Sequence, residues 1–257
     1  MAMIIVAFSL SLILCLLTGV PYIDFLKKRM FNQSIKDVAP KTHAAKEGTP
    51  TTGGVFIVGS ILVASWITLL MAQKLTTAAL IILFTLLFYT IAGFQDDILK
   101  IKGKTNKGLS AKGKLVRQIL IALLPTLYVC LSGETSIKIG YDIYNLGNFV
   151  YPLLAIFIIT GASNAYNLTD GLDGLAASTG IPAFIVIAII SQMSGYNEVA
   201  IISATVAGAL IGFLKYNKAK AQVFMGDTGS LAIGGLLGTL AVIGKFEFFL
   251  IVIATSL

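Results

Sequence analysis

An all-α, polytopic transmembrane helical bundle is the architecture this chain encodes, on three grounds. Hydrophobic residues make up 56% of the 257 and charged residues only 12%, with a mean hydropathy of +0.89; an ordinary soluble domain is about a quarter charged. The apolar residues gather into runs close to the ~20 residues that a spanning helix requires. The basic residues gather into alternate loops: of the 19 Lys and Arg, only Lys74, Lys138 and Lys245 lie away from the first, third and seventh. Those loops share one side if the segments alternate, and the positive-inside rule makes that side cytoplasmic and puts the N-terminus outside. The net charge of +7 is therefore a topological signal first and an anion-binding signal second, and no nucleic-acid partner is expected.

The segments, in order, are 2–22, 53–73, 76–95, 115–131, 149–165, 176–193, 199–214 and 230–244, with a ninth opening at Phe246. No basic stretch precedes the first, and Lys27, Lys28 and Arg29 follow it, so it is expected to stay as an anchor rather than leave as a signal peptide. The loop behind it carries Pro40-Lys-Thr-His43 and Lys46-Glu-Gly-Thr-Pro-Thr-Thr-Gly-Gly54. The third segment runs into Gly93-Phe-Gln-Asp-Asp97 and then a basic loop. Cys15 and Cys130 sit inside apolar segments as small hydrophobes, and nothing points to a disulfide or a cysteine metal site. Ser132–Asn148 is the longest outer stretch, and its Ser136-Ile-Lys-Ile-Gly140 alternates, predicting a small hairpin. On the inner side follow Asn164-Ala-Tyr-Asn-Leu-Thr-Asp-Gly-Leu-Asp-Gly174, then Asn217 and Val223-Phe-Met-Gly-Asp-Thr-Gly-Ser230. With no internal repeat or linker, residues 1–257 read as a single integral membrane domain.

Alternation brings every unusual polar motif to the cytoplasmic side, where they are expected to form one site. Polar and ionisable groups at a membrane boundary are costly and so mark function. Asn164, Asn167, Asp170 and Asp173 recur every three residues, which on a helical backbone stacks them along one face as a cradle for a hydrated cation and a polar ligand. With Gly171 and Gly174 among them, the same residues equally suit a helix-ending loop. Asp96 and Asp97 are adjacent, so on a regular helix they point about 100° apart and divide their roles unless the backbone turns; the alternative is a solvated acidic helix end. Asp227, between Gly226 and Gly229 ahead of an apolar run, suits either a helix N-cap or Mg²⁺, which takes one or two carboxylates with phosphate oxygens and water. His43 is the only histidine, which excludes a histidine-rich metal site from this chain. The lysines suit topology and lipid headgroups first, with Lys46, Lys100 and Lys112 close enough to the motifs to neutralise phosphates. Phe224 either dips into the interface or stacks on a base. Hard-cation carboxylates, lysines and glycine-rich turns, without a Cys or Ser nucleophile constellation, point to chemistry on a phosphate ester beside a lipid partner.

At these residues the chain resembles the polyprenyl-phosphate N-acetylhexosamine-1-phosphate transferase superfamily, in its muramoyl-pentapeptide branch. The shared pattern runs from the first loop to Ser230: Lys-Thr-His, Lys-x-Gly-Thr-Pro-Thr-x-Gly-Gly, Gly-Phe-x-Asp-Asp, Lys-Gly-Leu-Ser, Asn-Ala-x-Asn-Leu-Thr-Asp-Gly-Leu-Asp-Gly-Leu-Ala and Val-Phe-Met-Gly-Asp-x-Gly-Ser. The resemblance implies a multi-pass enzyme of the bacterial cytoplasmic membrane, active in peptidoglycan synthesis. It would move phospho-MurNAc-pentapeptide from UDP-MurNAc-pentapeptide to undecaprenyl phosphate, giving lipid I and UMP with Mg²⁺. It implies Asp227 as the principal Mg²⁺ ligand with Asn167 as a second, and Asp96 as acceptor of a proton from the lipid phosphate. Asp97, Lys46 and Lys112 would position and neutralise phosphates. Asn217, Phe224, Asp170, Gly171, Leu172 and Asp173 would form a uridine pocket in which Phe224 stacks on uracil. His43, Thr51, Lys100 and Asn164 are further candidate substrate contacts, and a homodimer is expected by analogy. A phosphate monoester with a second pKa of about 6 is mostly dianionic at neutral pH, so direct attack without an aspartyl-phosphate is expected. Two departures stand out. Gln95 replaces an apolar residue, and the family continues to a ninth and tenth helix joined by a loop with a histidine-rich motif. The chain is therefore expected to be the N-terminal part of a longer protein, with nine of ten segments. Transfer of N-acetylglucosamine 1-phosphate to the same lipid is the alternative within this chemistry. Outside it stands a secondary transporter, whose polar groups would lie near the bilayer midplane.

Overall fold

The computed structural model of the chain describes residues 1–34, 49–103, 108–140 and 142–254. Its elements are α1 (Ala2–Ser34), α2 (Gly54–Met71), α3 (Thr77–Gly103), α4 (Ala111–Leu131), β1 (Ser136–Ile139), β2 (Asp142–Asn145), α5 (Gly147–Thr169), α6 (Leu175–Met193), α7 (Asn197–Asn217), α8 (Gly226–Gly244) and α9 (Glu247–Ala254). Helices α1 to α8 are long and apolar enough to cross a membrane. A helix satisfies its own backbone polar groups, which a bilayer demands of any single spanning segment. Side-chain hydroxyls follow the same rule: Ser60, Thr68 and Thr239 donate back to the carbonyls of Phe56, Ala64 and Gly235, each at 2.7 Å.

Several helices outrun their apolar segments at the same end of the bundle. α1 continues to Ser34, α3 to Gly103 and α5 to Thr169; on α3 and α5 the polar residues Asp96, Asp97 and Asn167 beyond the apolar runs are held by α4 and α8. The expected hairpin is present at the opposite end, with Ser136 to Ile139 pairing antiparallel to Asn145 to Asp142. Lys245 pins its base, donating to the carbonyls of Glu134 and Ser136 and, at 2.8 Å, to the hydroxyl of Tyr151, which in turn donates to Glu247 at 2.7 Å.

At the centre lies α8, buried along nearly its whole length and packed between α3 and α5. In lipid, helices associate through close van der Waals packing of small residues rather than through exclusion of water. Gly234 and Gly238, one turn apart, meet the α5 backbone at Ser163 and Ile159. Ser163 donates to the carbonyl of Leu231 at 2.9 Å across the same seam. On the other flank α7 packs against α1 and α6, and Ser65 of α2 bonds Thr205 of α7 at 2.8 Å. This arrangement sets the first turn of α8 amid the ends of α3, α4 and α5 and the strap that leads into α2.

Candidate active site

The site is built on the first turn of α8. Gly226 has φ +72°, a left-handed conformation suited to glycine, and the helix starts there. The N–H groups of that turn lack helical partners, and Asp97 supplies one from α3. Its carboxylate accepts from the Asp227 N–H at 3.1 Å, the Thr228 N–H at 2.9 Å and the Thr228 hydroxyl at 2.5 Å. An anion at a helix N-terminus also meets the positive end of the macrodipole. The approach depends on Gly93, one turn earlier on α3, where a Cβ would collide with the backbone carbonyl of Asp227. The Gly-Phe-x-Asp-Asp and Met-Gly-Asp motifs are thus one contact.

Because Asp97 caps the helix from outside, the side chain of Asp227 is released from that task. Its oxygens face two ammonium groups, Lys100 at 3.1 Å and Lys114 at 2.7 Å. The same lysines bridge to Asp96 at 2.7 and 2.9 Å, so two carboxylates and two ammoniums alternate in a ring. Asp96 and Asp227 are both buried, and each charge is worth far more there than in water. Asp96 is further fixed by the Leu109 N–H at 2.6 Å. Ser110, the N-cap of α4, accepts from the Gly113 N–H at 3.1 Å and so starts the helix that carries Lys114. From α5, Asn167 donates to Asp227 at 3.2 Å and to Ser230 at 2.6 Å. One carboxylate oxygen from each of Asp96, Asp97 and Asp227 lies within 4.8 Å of the others. That density of negative charge, offset by lysines at its rim, is a donor set suited to a hard divalent cation.

Beside this ring the segment before α2 is laced to the segment before α8. Phe224 N–H donates to the Pro50 carbonyl at 2.8 Å, and the N–H groups of Gly53 and Gly54 donate to Phe224 and Met225, each at 2.9 Å. Thr52 is buried between them at φ +75°, a costly conformation for a β-branched residue that this lacing enforces. Thr51 abuts Gly226, which brings the Thr-Pro-Thr-Thr-Gly-Gly strap to the edge of the ring.

Several residues expected at the site take other places. The three-residue spacing of Asn164, Asn167, Asp170 and Asp173 does not make one helical face, since α5 stops at Thr169 and Gly174 turns left-handed at φ +75°. Only Asn164 and Asn167 share a helical face. Asp173 accepts from the Ala221 N–H at 3.1 Å, while buried Asn217 accepts from the Gly174 N–H and donates to the Val223 carbonyl, each at 3.0 Å. These two residues tie the α5–α6 turn to the α7–α8 loop. Gly171 and Leu172 form the exposed tip of that turn, and Phe224, in the α7–α8 loop, is half-buried. Neither Asp96 nor Asp97 is a solvated helix end, for both are buried. Lys112 lies exposed on α4, and it is Lys114, passed over in the sequence reading, that meets the carboxylates. His43 and Lys46 lie outside the described residues.

Asp170 closes α5 and takes a hydrogen bond from the backbone of Gly226. Burial, then the carboxylates of Asp227 and Asp97, push its carboxyl up to about 7 against the pull of that bond. A carboxyl that holds its proton more tightly folded than unfolded, where it titrates at about 4, lowers stability as pH rises between those two values and no further above them. Asp170→Asn is therefore expected to flatten the decline in melting temperature across that window. Parallel pH slopes for the two proteins would contradict the assignment.

The sequence profile of glycosyl transferase family 4 matches residues 79–245, which contain the whole carboxylate and ammonium ring. A phospho-N-acetylmuramoyl-pentapeptide-transferase of Geobacillus sp. (strain WCH70) is 43% identical over 97% of this chain and 78% of its own length. The protein of the same name from Halalkalibacterium halodurans is 43% identical over 95% of this chain and 76% of its own length. That of Bacillus subtilis (strain 168) is 44% identical over 90% and 72%.

Proposed function

The chain belongs to glycosyl transferase family 4, and from that membership and its charged ring we propose that it transfers phospho-MurNAc-pentapeptide from UDP-MurNAc-pentapeptide to undecaprenyl phosphate. The products are lipid I and UMP. The observation that carries this reading is the placement of Asp96, Lys100, Lys114 and Asp227 at the mouth of an apolar bundle. There a water-soluble diphosphate and a lipid phosphate can meet. The excess of lysine and arginine in the loops at that end supports placing it at the cytoplasmic face.

The reaction exchanges one phosphoanhydride bond for another. An oxygen of the lipid phosphate attacks the sugar-linked phosphorus, the bond to the uridine-bearing phosphate breaks, and UMP leaves with the electron pair. The attacking phosphate is already mostly dianionic at neutral pH, so the chain's task is less to remove a proton than to hold four or more negative charges together. Lys100 and Lys114 can exchange their carboxylate partners for phosphate oxygens within the ring. Asp97 keeps α8 capped and the ring in register. Asp227, with the amide of Asn167 beside it and Asp96 across the ring, fits a Mg²⁺ site. The ion would neutralise the diphosphate and the departing UMP.

The test is UMP release by the protein in detergent or nanodiscs with undecaprenyl phosphate, with and without Mg²⁺. Release from UDP-MurNAc-pentapeptide that disappears on chelation is the expected result. Turnover of UDP-GlcNAc with an inert muramoyl-pentapeptide donor would transfer the assignment to the N-acetylglucosamine branch. Solute passage across vesicles with neither donor consumed would replace it with transport.

A further inference from the structure

We propose that Gln118 and Asn164 act as a positioning pair, fixing the rotation of α4 against α5 so that Lys114 faces Asp227; the inference rests on the transferase reading above. Gln118 is buried in α4. Its carboxamide and that of Asn164 bond reciprocally: Asn164 Nδ2 donates to Gln118 Oε1 at 2.7 Å, and Gln118 Nε2 donates to Asn164 Oδ1 at 3.2 Å. Two further bonds hold the pair in place. Asn164 Nδ2 also donates to the Thr160 carbonyl at 2.8 Å, and the hydroxyl of Tyr89 on α3 donates to the backbone carbonyl of Gln118 at 3.1 Å. Helices α3, α4 and α5 are thereby locked at one point.

That point lies one turn below the charged ring on both partner helices. Residues three or four apart share a helix face, so Gln118 sits beneath Lys114 and Asn164 beneath Asn167. Lys114 and Asn167 in turn grip opposite oxygens of the same carboxylate, Asp227 Oδ2 and Oδ1. A single amide pair therefore couples the rotational phase of the two helices that deliver those groups. Phase is what separates the lysines of α4, because a helix advances about 100° per residue. A turn of α4 that brought Lys112 inward would carry Lys114 out. The carboxamide is suited to this role because it donates and accepts in one planar group without charge. Any other rotation leaves the buried amide of Gln118 half-paired, which is costly.

Four variants test the pair: Gln118→Leu, Asn164→Leu, the double leucine variant, and the exchange Gln118→Asn with Asn164→Gln. Each single leucine is expected to lower kcat at least about tenfold while KM for the UDP-linked donor moves less than about threefold, the signature of lost alignment rather than lost binding. The double variant should keep its melting temperature yet recover no activity, and the exchange should regain much of kcat. A second readout is independent of turnover: acylation of Lys114 by an amine-selective reagent, followed by mass spectrometry. An ammonium held between two carboxylates reacts slowly, so labelling should quicken several-fold in the single variants and slow again in the exchange. Wild-type turnover in the double leucine variant, or equal Lys114 labelling in all proteins, overturns the proposal. A wild-type protein that releases no UMP defeats the transferase reading instead, and the labelling still decides the pair.

Discussion

Asp227→Asn is expected to lower UMP release by on the order of a thousandfold while the protein keeps its fold, a loss typical of removing one preorganised electrostatic group. In the native ring Asp227 answers Lys100 and Lys114 and accepts from Asn167. An asparagine there cannot offset the two ammoniums, and turning its own N–H groups toward Asn167 sets donor against donor. Asp96 would remain the only carboxylate for both lysines, and the best oxygen ligand for a divalent ion would be gone. The helix itself should survive, because Asp97 caps α8 through the backbone of residue 227 and through Thr228. Activity and fold are therefore separable at this position. Initial rates at saturating substrates, read beside a thermal melt, check both halves of the expectation. Turnover within tenfold of wild type would remove Asp227 from the chemistry, and a collapsed melt would assign it to the scaffold.

How much of this was legible beforehand follows from which forces are local. The spanning helices are, because twenty apolar residues in a row admit few alternatives in lipid, and the hairpin at Ser136–Ile139 announced itself by alternation. Helix ends are less so. α3 runs straight through Asp96 and Asp97 because partners on α4 and α8 hold those carboxylates, and nothing in the run 76–95 foretells those partners. The spacing of Asn164, Asn167, Asp170 and Asp173 suited one helical face and a helix-ending loop alike, and local pattern could not choose between them. Periodicity presumes a continuous helix, and α5 stops at Thr169, before Asp170 and Asp173. Asp227 reads locally as a helix cap. Only the approach of α3 at Gly93, a contact between residues far apart in sequence, shows that Asp97 does the capping and frees Asp227 for the ring. The tying roles of Asn217 and Asp173 belong to the same class, since each bonds the backbone of a distant loop.

The choice between two lysines on α4 is the sharpest case, and it yields the second large effect. Lys114→Ala is expected to cut kcat by about a hundredfold, within the range for groups that stabilise developing charge, whereas Lys112→Ala should leave it within about threefold, as for a solvated surface charge. Nothing in composition separates the pair, for they stand two residues apart in the same basic loop. Two residues are about 200° of helical rotation, however, so only one can face the bundle, and the Gln118–Asn164 contact decides which. Lys114 closes the ring between Asp96 and Asp227 at 2.9 and 2.7 Å; Lys112 is exposed. Removing Lys114 leaves Lys100 alone against two buried carboxylates, so a modest fall in stability, on the order of 1–3 kcal/mol, should accompany the loss of rate. Lys114→Arg keeps the charge but replaces a point donor with a planar fork, and should recover the stability more fully than the turnover. Paired measurements of rate and denaturant midpoint on the three variants decide the matter. Equal losses for Lys112→Ala and Lys114→Ala would mean that α4 presents a different face to the site, and the ring as drawn would have to be abandoned.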